Sequence, residues 1–101
     1  MIPFTNRAIM PDHVLVSHVG DESVLLNIDT EEYFGLDAMG SRMFRLATTS
    51  ACIEFAYEKL LEEYEVEPEV LRSHLVELLS NLVGNGLLHV SPTDVGTIPA
   101  V

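Results

Sequence analysis

The chain has 101 residues, which is enough for one compact domain with one modest core. Its 16 acidic residues outnumber its five Lys and Arg residues, for a formal charge of −11. Because nucleic-acid binders neutralise phosphates with clustered Lys and Arg, this balance argues against a nucleic-acid partner. No apolar run approaches the roughly 18 to 20 residues that span a bilayer, so we expect no membrane partner. With no secretory signal apparent, a cytoplasmic protein is expected.

The first part of the chain carries strand-like patterns. Residues 1–12 contain two prolines and no sustained period, which predicts a partly ordered arm. Residues 13–19, 23–28 and 32–36 are short apolar runs separated by turn residues, which predicts a three-stranded antiparallel meander. In the second of these runs, the alternation of Val24, Leu26 and Ile28 predicts that those three side chains form the apolar face of the strand.

The period changes to three or four after Asp37, which indicates helices. Asp37 is expected to cap the first helix, and residues 48–50 to cap a second that ends near Glu65. The segment 67–69, with its central proline, has the composition of a helix start. The third helix is therefore predicted to run from there to about Val83.

Gly84-Asn85-Gly86 ends the third helix, because these residues tolerate positive φ. Residues 87–90 are then expected to be a short extended segment, followed by a flexible tail at 91–101. The predicted domain is residues 13–90, and its order of strands and helices is that of a winged-helix-like α+β fold. We expect this domain to fold without the arm or the tail.

The chain contains Cys and His residues, but their spacing matches no known catalytic or metal-binding motif. Cys52 has no evident base partner, and no glycine-rich phosphate loop follows a strand. The four histidines show no metal-ligand spacing. They are His13, His18, His74 and His89. We therefore expect no catalytic residues, no metal and no cofactor, and a protein that is not an enzyme.

Residues 24–44 resemble the PqqD family, in which a strand, an acidic turn, a strand with Tyr and an aromatic residue, and a glycine-containing helix follow in this order. Residues 62–69, the leucines of the third helix and residues 86–88 are similar to the later part of that family. The resemblance covers about residues 14–90. One departure is Asp37, which stands where the family commonly has Asn.

The resemblance implies a RiPP recognition element, a module that binds the leader of a ribosomally made precursor peptide. Such modules take the leader as an added strand against their third strand, beside their third helix. Free-standing members work with a separate modifying enzyme or leader peptidase, as PqqD does with a radical-SAM enzyme. We expect an adaptor of this kind, with a lasso-peptide pathway favoured and a PQQ-type pathway open.

The expected peptide site combines the third strand with one side of the third helix. An exposed strand edge can pair with an extended peptide, while the helix supplies apolar pockets. Strand parity places Phe34 and Leu36 inward, with Tyr33 on the opposite face. The expected peptide-binding residues are Glu32, Tyr33, Phe34, Gly35, Leu36, Arg72, Val76 and Leu79. Ordinary core packing is the alternative for the apolar members.

Two other function classes stay open, and the first shares this order of elements. One is a winged-helix DNA-binding regulator, which the negative charge disfavours. The other is a structural subunit that stabilises a biosynthetic enzyme without touching its substrate. An unfilled strand edge can also pair with a second copy of the chain, so a homodimer stays open.

Overall fold

The computed structural model describes residues 2–92. It contains strands and helices in the order β1 (Asn6–Ile9), β2 (Val14–Val19), β3 (Glu22–Asn27), β4 (Glu32–Leu36), α1 (Ala38–Thr49), α2 (Ile53–Glu63), α3 (Pro68–Gly84) and β5 (His89–Pro92). Strands β2, β3 and β4 form an antiparallel sheet with β3 in the centre. The α+β class, the meander and the three helices are as the sequence predicted. No helix in the described part of the chain is long and apolar enough to cross a membrane.

Strand β1 was missed by the sequence analysis. It pairs antiparallel with β5, with Ala8 opposite Val90, and so joins the two ends of the described chain. Phe4 and Ala8 are buried in the core, so residues 2–12 are not a partly ordered arm. The strand was missed because it is only four residues long and lies between prolines. The bounds of an independently folding domain, 13–90, stay a prediction.

The inward face of β3 also differs from the prediction. Leu25 is buried in the core, with Ser23 and Asn27 beside it on the same face, whereas Ile28 lies beyond the strand and is exposed. Val24 and Leu26, the expected core residues, are only half-buried on the outer face. Both faces of the strand carry apolar residues, so alternation alone could not choose between them.

The helix ends show which predicted caps form. Asp37 Oδ1 accepts a hydrogen bond from the Gly40 amide at 2.8 Å, as expected of a cap on α1. The expected cap of α2 at residues 48–50 was wrong, because the N-cap position is Cys52, which makes no side-chain capping bond. Thr48 instead donates back to the Phe44 carbonyl within α1. Pro68 is the first residue of α3, as predicted.

An ion pair joins α1 to the end of α2. Arg42 Nε donates to Glu63 Oε1 at 2.9 Å, and a second hydrogen bond links Arg42 Nη2 to Glu63 Oε2. This hydrogen bonding lowers the pKa of the Glu63 carboxyl and raises the pKa of the Arg42 guanidinium. Both side chains are partly exposed, so the pair contributes modestly to stability.

The core lies between the inner face of the sheet and the three helices, and β1 and β5 cover one side of it. Its largest fully buried side chains are Leu25, Ile53, Leu60, Leu71, Leu75, Leu79 and Leu82. The predicted flexible tail is ordered at its start, because residues 91 and 92 belong to β5. Residues 93–101 lie outside the described residues.

Candidate functional site

Strand β4 forms one edge of the three-stranded sheet. Its outer side therefore presents backbone groups that no other strand of this sheet pairs with. The predicted parity is correct, since Leu36 is buried and Phe34 is half-buried, while Tyr33 is 73% exposed. A Cβ atom at Gly35 would have no neighbour within 4 Å, so the surface beside this residue is open.

A small cavity of about 90 Å³ lies between β4 and the C-terminal end of α3. The lining residues are Asn27, Glu32, Tyr33, Phe34, Asn85 and Leu87. The fold thus brings three of the predicted site residues together beside the turn that follows α3. The cavity is too small for a whole ligand, but it can hold the polar end of one side chain of a bound peptide.

The predicted residues of α3 lie elsewhere. Leu79 is 0% exposed and belongs to the core, so it offers no surface to a ligand in this structure. The Arg72 guanidinium carbon lies 4.1 Å from the centre of the Phe4 ring and 5.3 Å from that of Tyr57. Val76 follows Arg72 by one helical turn and is half-buried. None of these three residues lines the cavity at β4.

Asn27, Asn85 and Leu87 are cavity residues that the sequence analysis missed. Asn27 Oδ1 accepts hydrogen bonds from the amides of Asp29 and Thr30, at 3.0 and 3.3 Å. This Asx turn connects β3 to β4, and Glu31 within the turn has a positive φ of 59°. The sequence signal was an Asn at the end of an apolar run followed by Asp and Thr, which is typical of such turns.

A hydrogen bond from His13 holds the turn that follows α3. His13 Nε2 lies 2.8 Å from the carbonyl oxygen of Gly86, a hydrogen bond in which the imidazole nitrogen donates. Gly86 has a φ of +71°, which favours glycine. A Cβ atom at this position would lie 3.4 Å from Asn27 Nδ2. The turn at Gly86 is therefore tied to the residue before β2 and leaves little room for a side chain beside Asn27 of β3.

Two larger cavities lie at the opposite end of β4. One of about 430 Å³ includes Gly35 and Leu36 in its lining, together with residues of β2 and β3. The other, of about 370 Å³, is lined by His18, Ser41, Arg42, Arg45 and Tyr64, among others. The predicted strand residues are thus divided between two ends of the same edge.

Within residues 2–92, no group of three or more His, Cys, Asp or Glu side chains is placed to hold a metal ion. Cys52 is a half-buried free thiol at the start of α2. The candidate site is the free edge of β4 with its adjoining cavity, an arrangement suited to binding an extended peptide.

Comparison with known protein families identifies the family of this chain. The family model described as "Coenzyme PQQ synthesis protein D (PqqD)" matches residues 22–88. The chain belongs to the PqqD family. Among curated proteins, none matches this PqqD-family chain in sequence.

Two solved structures share the fold of this PqqD-family member. TbiB1, in complex with the TbiA(beta) leader peptide, is 34% identical, with a TM-score of 0.73 over 80% of this chain and 94% of that chain. A lasso peptide synthetase B1, complexed with the leader peptide, is 21% identical, with a TM-score of 0.72 over 82% of this chain and 98% of that chain. The resemblance and fold class predicted from the sequence are confirmed.

Proposed function

We propose that this PqqD-family protein binds the leader of a ribosomally synthesised precursor peptide and delivers it to a separate modifying enzyme or leader peptidase. The observation that carries the proposal is the 34% identity to TbiB1, a protein whose structure is a complex with the TbiA(beta) leader peptide. That similarity extends over 94% of TbiB1. The fold shared with a lasso peptide synthetase B1 supports a lasso-peptide pathway over a PQQ-type pathway.

The geometry supports strand addition as the binding mode. An extended peptide laid along Glu32–Leu36 would pair with the free edge of β4, and its alternate side chains would point to the inner side of the sheet. One of these side chains would reach the cavity beside Phe34. Main-chain pairing supplies general affinity, and the cavity supplies selection among leaders.

The charge of the protein favours a peptide over DNA as the partner. The formal charge is −11; the turn before β4 contributes Asp29 and Glu31, and β4 itself begins with Glu32. A leader with basic residues near this turn would be attracted, whereas a DNA phosphate backbone would be repelled.

We propose further that the protein acts as a cytoplasmic adaptor without catalytic activity of its own. PqqD-like recognition elements are in general binding proteins, and this chain offers a strand edge as its candidate site. A structural subunit that never touches the substrate is the competing role, and binding of an isolated leader separates the two.

The test is a titration of fluorescently labelled TbiA(beta) leader peptide with the purified protein, followed by anisotropy. Saturable binding, with the mass of the peptide unchanged after incubation, is the expected result. A labelled nonspecific DNA duplex at low salt should show no association. Salt-sensitive DNA binding without peptide binding would instead support the regulator, and a leader cleaved by the protein alone would contradict the adaptor role.

A further inference from the structure

Asn27 has a side-chain donor that the fold does not use. The residue is only 5% exposed, and its Oδ1 is fixed by the two backbone amides of the turn. The amide nitrogen Nδ2 of the same side chain donates to no acceptor among residues 2–92. Every side-chain N or O atom that is fully shielded from solvent in this part of the chain has a hydrogen-bond partner, so the unpaired Nδ2 must keep some contact with solvent. Asn27 lines the cavity beside β4, and we take this cavity as the open side of Nδ2.

Glu32 supplies the complementary group. It is the cross-strand partner of Asn27 and lines the same cavity, so a carboxylate acceptor accompanies the amide donor. The amide nitrogen of Asn85 is occupied, because it donates to the Asn81 carbonyl at 2.7 Å. Phe34 and Leu87 add apolar surface, and Tyr33 is the remaining lining residue. The Asn85 side chain also carries an amide oxygen, which can only accept. The cavity thus offers the amide nitrogen of Asn27 as a donor and the carboxylate of Glu32 as an acceptor, beside apolar walls.

This combination discriminates between ligand side chains. A Lys or Arg side chain has only donors and would leave Asn27 Nδ2 unpaired, while a carboxylate would be repelled by Glu32. An apolar side chain would bury both polar groups without partners, which is costly. A hydroxyl or a carboxamide both accepts and donates, so it can satisfy Asn27 and Glu32 together. The cavity volume of about 90 Å³ suits one such head group.

We infer that Asn27 is a specificity-determining residue, which selects leaders carrying a hydroxyl or carboxamide side chain where the added strand passes Phe34. The inference rests on the proposed function, because the leader must lie along β4 for its inward side chains to reach this cavity. Asn27 then has two roles on its two side-chain atoms. Oδ1 closes the β3–β4 turn, and Nδ2 donates to the leader.

The variant that separates these roles is Asn27→Asp. A carboxylate keeps the acceptor for the amides of Asp29 and Thr30, but it removes the donor and favours a ligand with donors only. Asn81→Asp is the matched control, because it makes the same chemical change at an exposed position of α3 that does not line the cavity. Each variant should first show a cooperative unfolding transition like that of the unmodified protein.

The experiment is selection of peptides from a random mRNA-display library on the unmodified protein, N27D and N81D. The unmodified protein and N81D should enrich a shared motif with Ser, Thr, Tyr, Asn or Gln at one position. N27D should replace that preference with Lys or Arg. Changing that one peptide residue to Ala should weaken binding to the unmodified protein about tenfold, a measurement that needs no protein variant.

The outcomes distinguish this inference from the proposed function. Enrichment of no peptide motif by the unmodified protein would overturn both. A motif without a hydroxyl or carboxamide position, or one that N27D leaves unchanged, would overturn the role of Asn27 while leaving peptide binding intact. A motif peptide whose Ala variant binds equally well would likewise overturn it.

Discussion

The Arg72 guanidinium lies over the ring of Phe4, with 4.1 Å between the guanidinium carbon and the ring centre. Phe4 also meets Tyr57 edge-on, with 5.3 Å between the ring centres. An aromatic residue near the start of the described chain is thereby held between α2 and α3. The N-terminal segment is part of the core, and its removal should affect the whole domain.

Phe4→Ala should lower the free energy of unfolding by about 3 to 5 kcal/mol, because it empties a buried site and removes the ring beneath Arg72. Phe55→Ala is the matched control, since Phe55 is 56% exposed and should cost much less. Urea denaturation of both variants measures the difference. Equal losses would contradict the placement of Phe4. A chain beginning at residue 13 should likewise show a lower melting temperature.

The Arg42–Glu63 pair predicts a pH-dependent contribution to stability. Because Arg42 holds the pKa of Glu63 below its ordinary value of 4.5, the contribution is present above that value. It is lost as the pH falls through the lowered pKa of the folded state. Glu63→Gln should therefore lower the melting temperature near neutral pH, and the difference from the unmodified protein should shrink in acid.

Glu62→Gln is the control for this pH series. Glu62 is the exposed neighbour of Glu63 and makes no salt bridge within residues 2–92. Melting temperatures of the three proteins should be measured over the same acidic range. A Glu63→Gln difference that persists unchanged in acid, or an equal effect of Glu62→Gln, would show that the ion pair is not its source.

Replacement by Ala is expected to have opposite effects on stability at Gly86 and Gly84. Gly86→Ala forces a Cβ onto a residue with a φ of +71°, close to Asn27, and should cost about 1 to 2 kcal/mol. Gly84→Ala, at the end of α3, meets no atom within 4 Å and should be neutral or slightly stabilising. Thermal unfolding compares the two. A destabilised Gly84→Ala with an unaffected Gly86→Ala would contradict the described helix end.

Replacing Gly35 tests the β4 edge. Gly35→Pro adds a ring to the strand and removes a backbone donor, so binding of the TbiA(beta) leader peptide should weaken about tenfold or more. Gly35→Ala should bind normally, because its Cβ would meet nothing within 4 Å. Anisotropy titrations give both affinities, once each variant shows a native-like thermal transition. Normal binding by the proline variant would exclude pairing at this residue.

Local pattern was sufficient to predict the meander, the Asp37 cap and the start of α3, because each depends on residues adjacent in sequence. The pairing of β1 with β5 depends on contacts between distant parts of the chain, so no local pattern predicts it. The placement of two expected peptide-binding residues of α3 also depends on distant contacts. Leu79 belongs to a broad apolar stripe, and only packing shows that it is core, while Arg72 lies over Phe4. Asn27 had a turn signature, but its second role emerges only where α3 ends beside it.

The central claim is that a leader peptide adds to the edge of β4, and the most direct test is backbone amide chemical-shift mapping. The unmodified protein, labelled with ¹⁵N, is titrated with the TbiA(beta) leader peptide. The largest shifts are predicted in Glu32–Leu36, with further shifts at Asn27 and in the turn after α3. Shifts confined to Val14–Val19 or to Ile53–Glu63, with β4 unmoved, would contradict the claim.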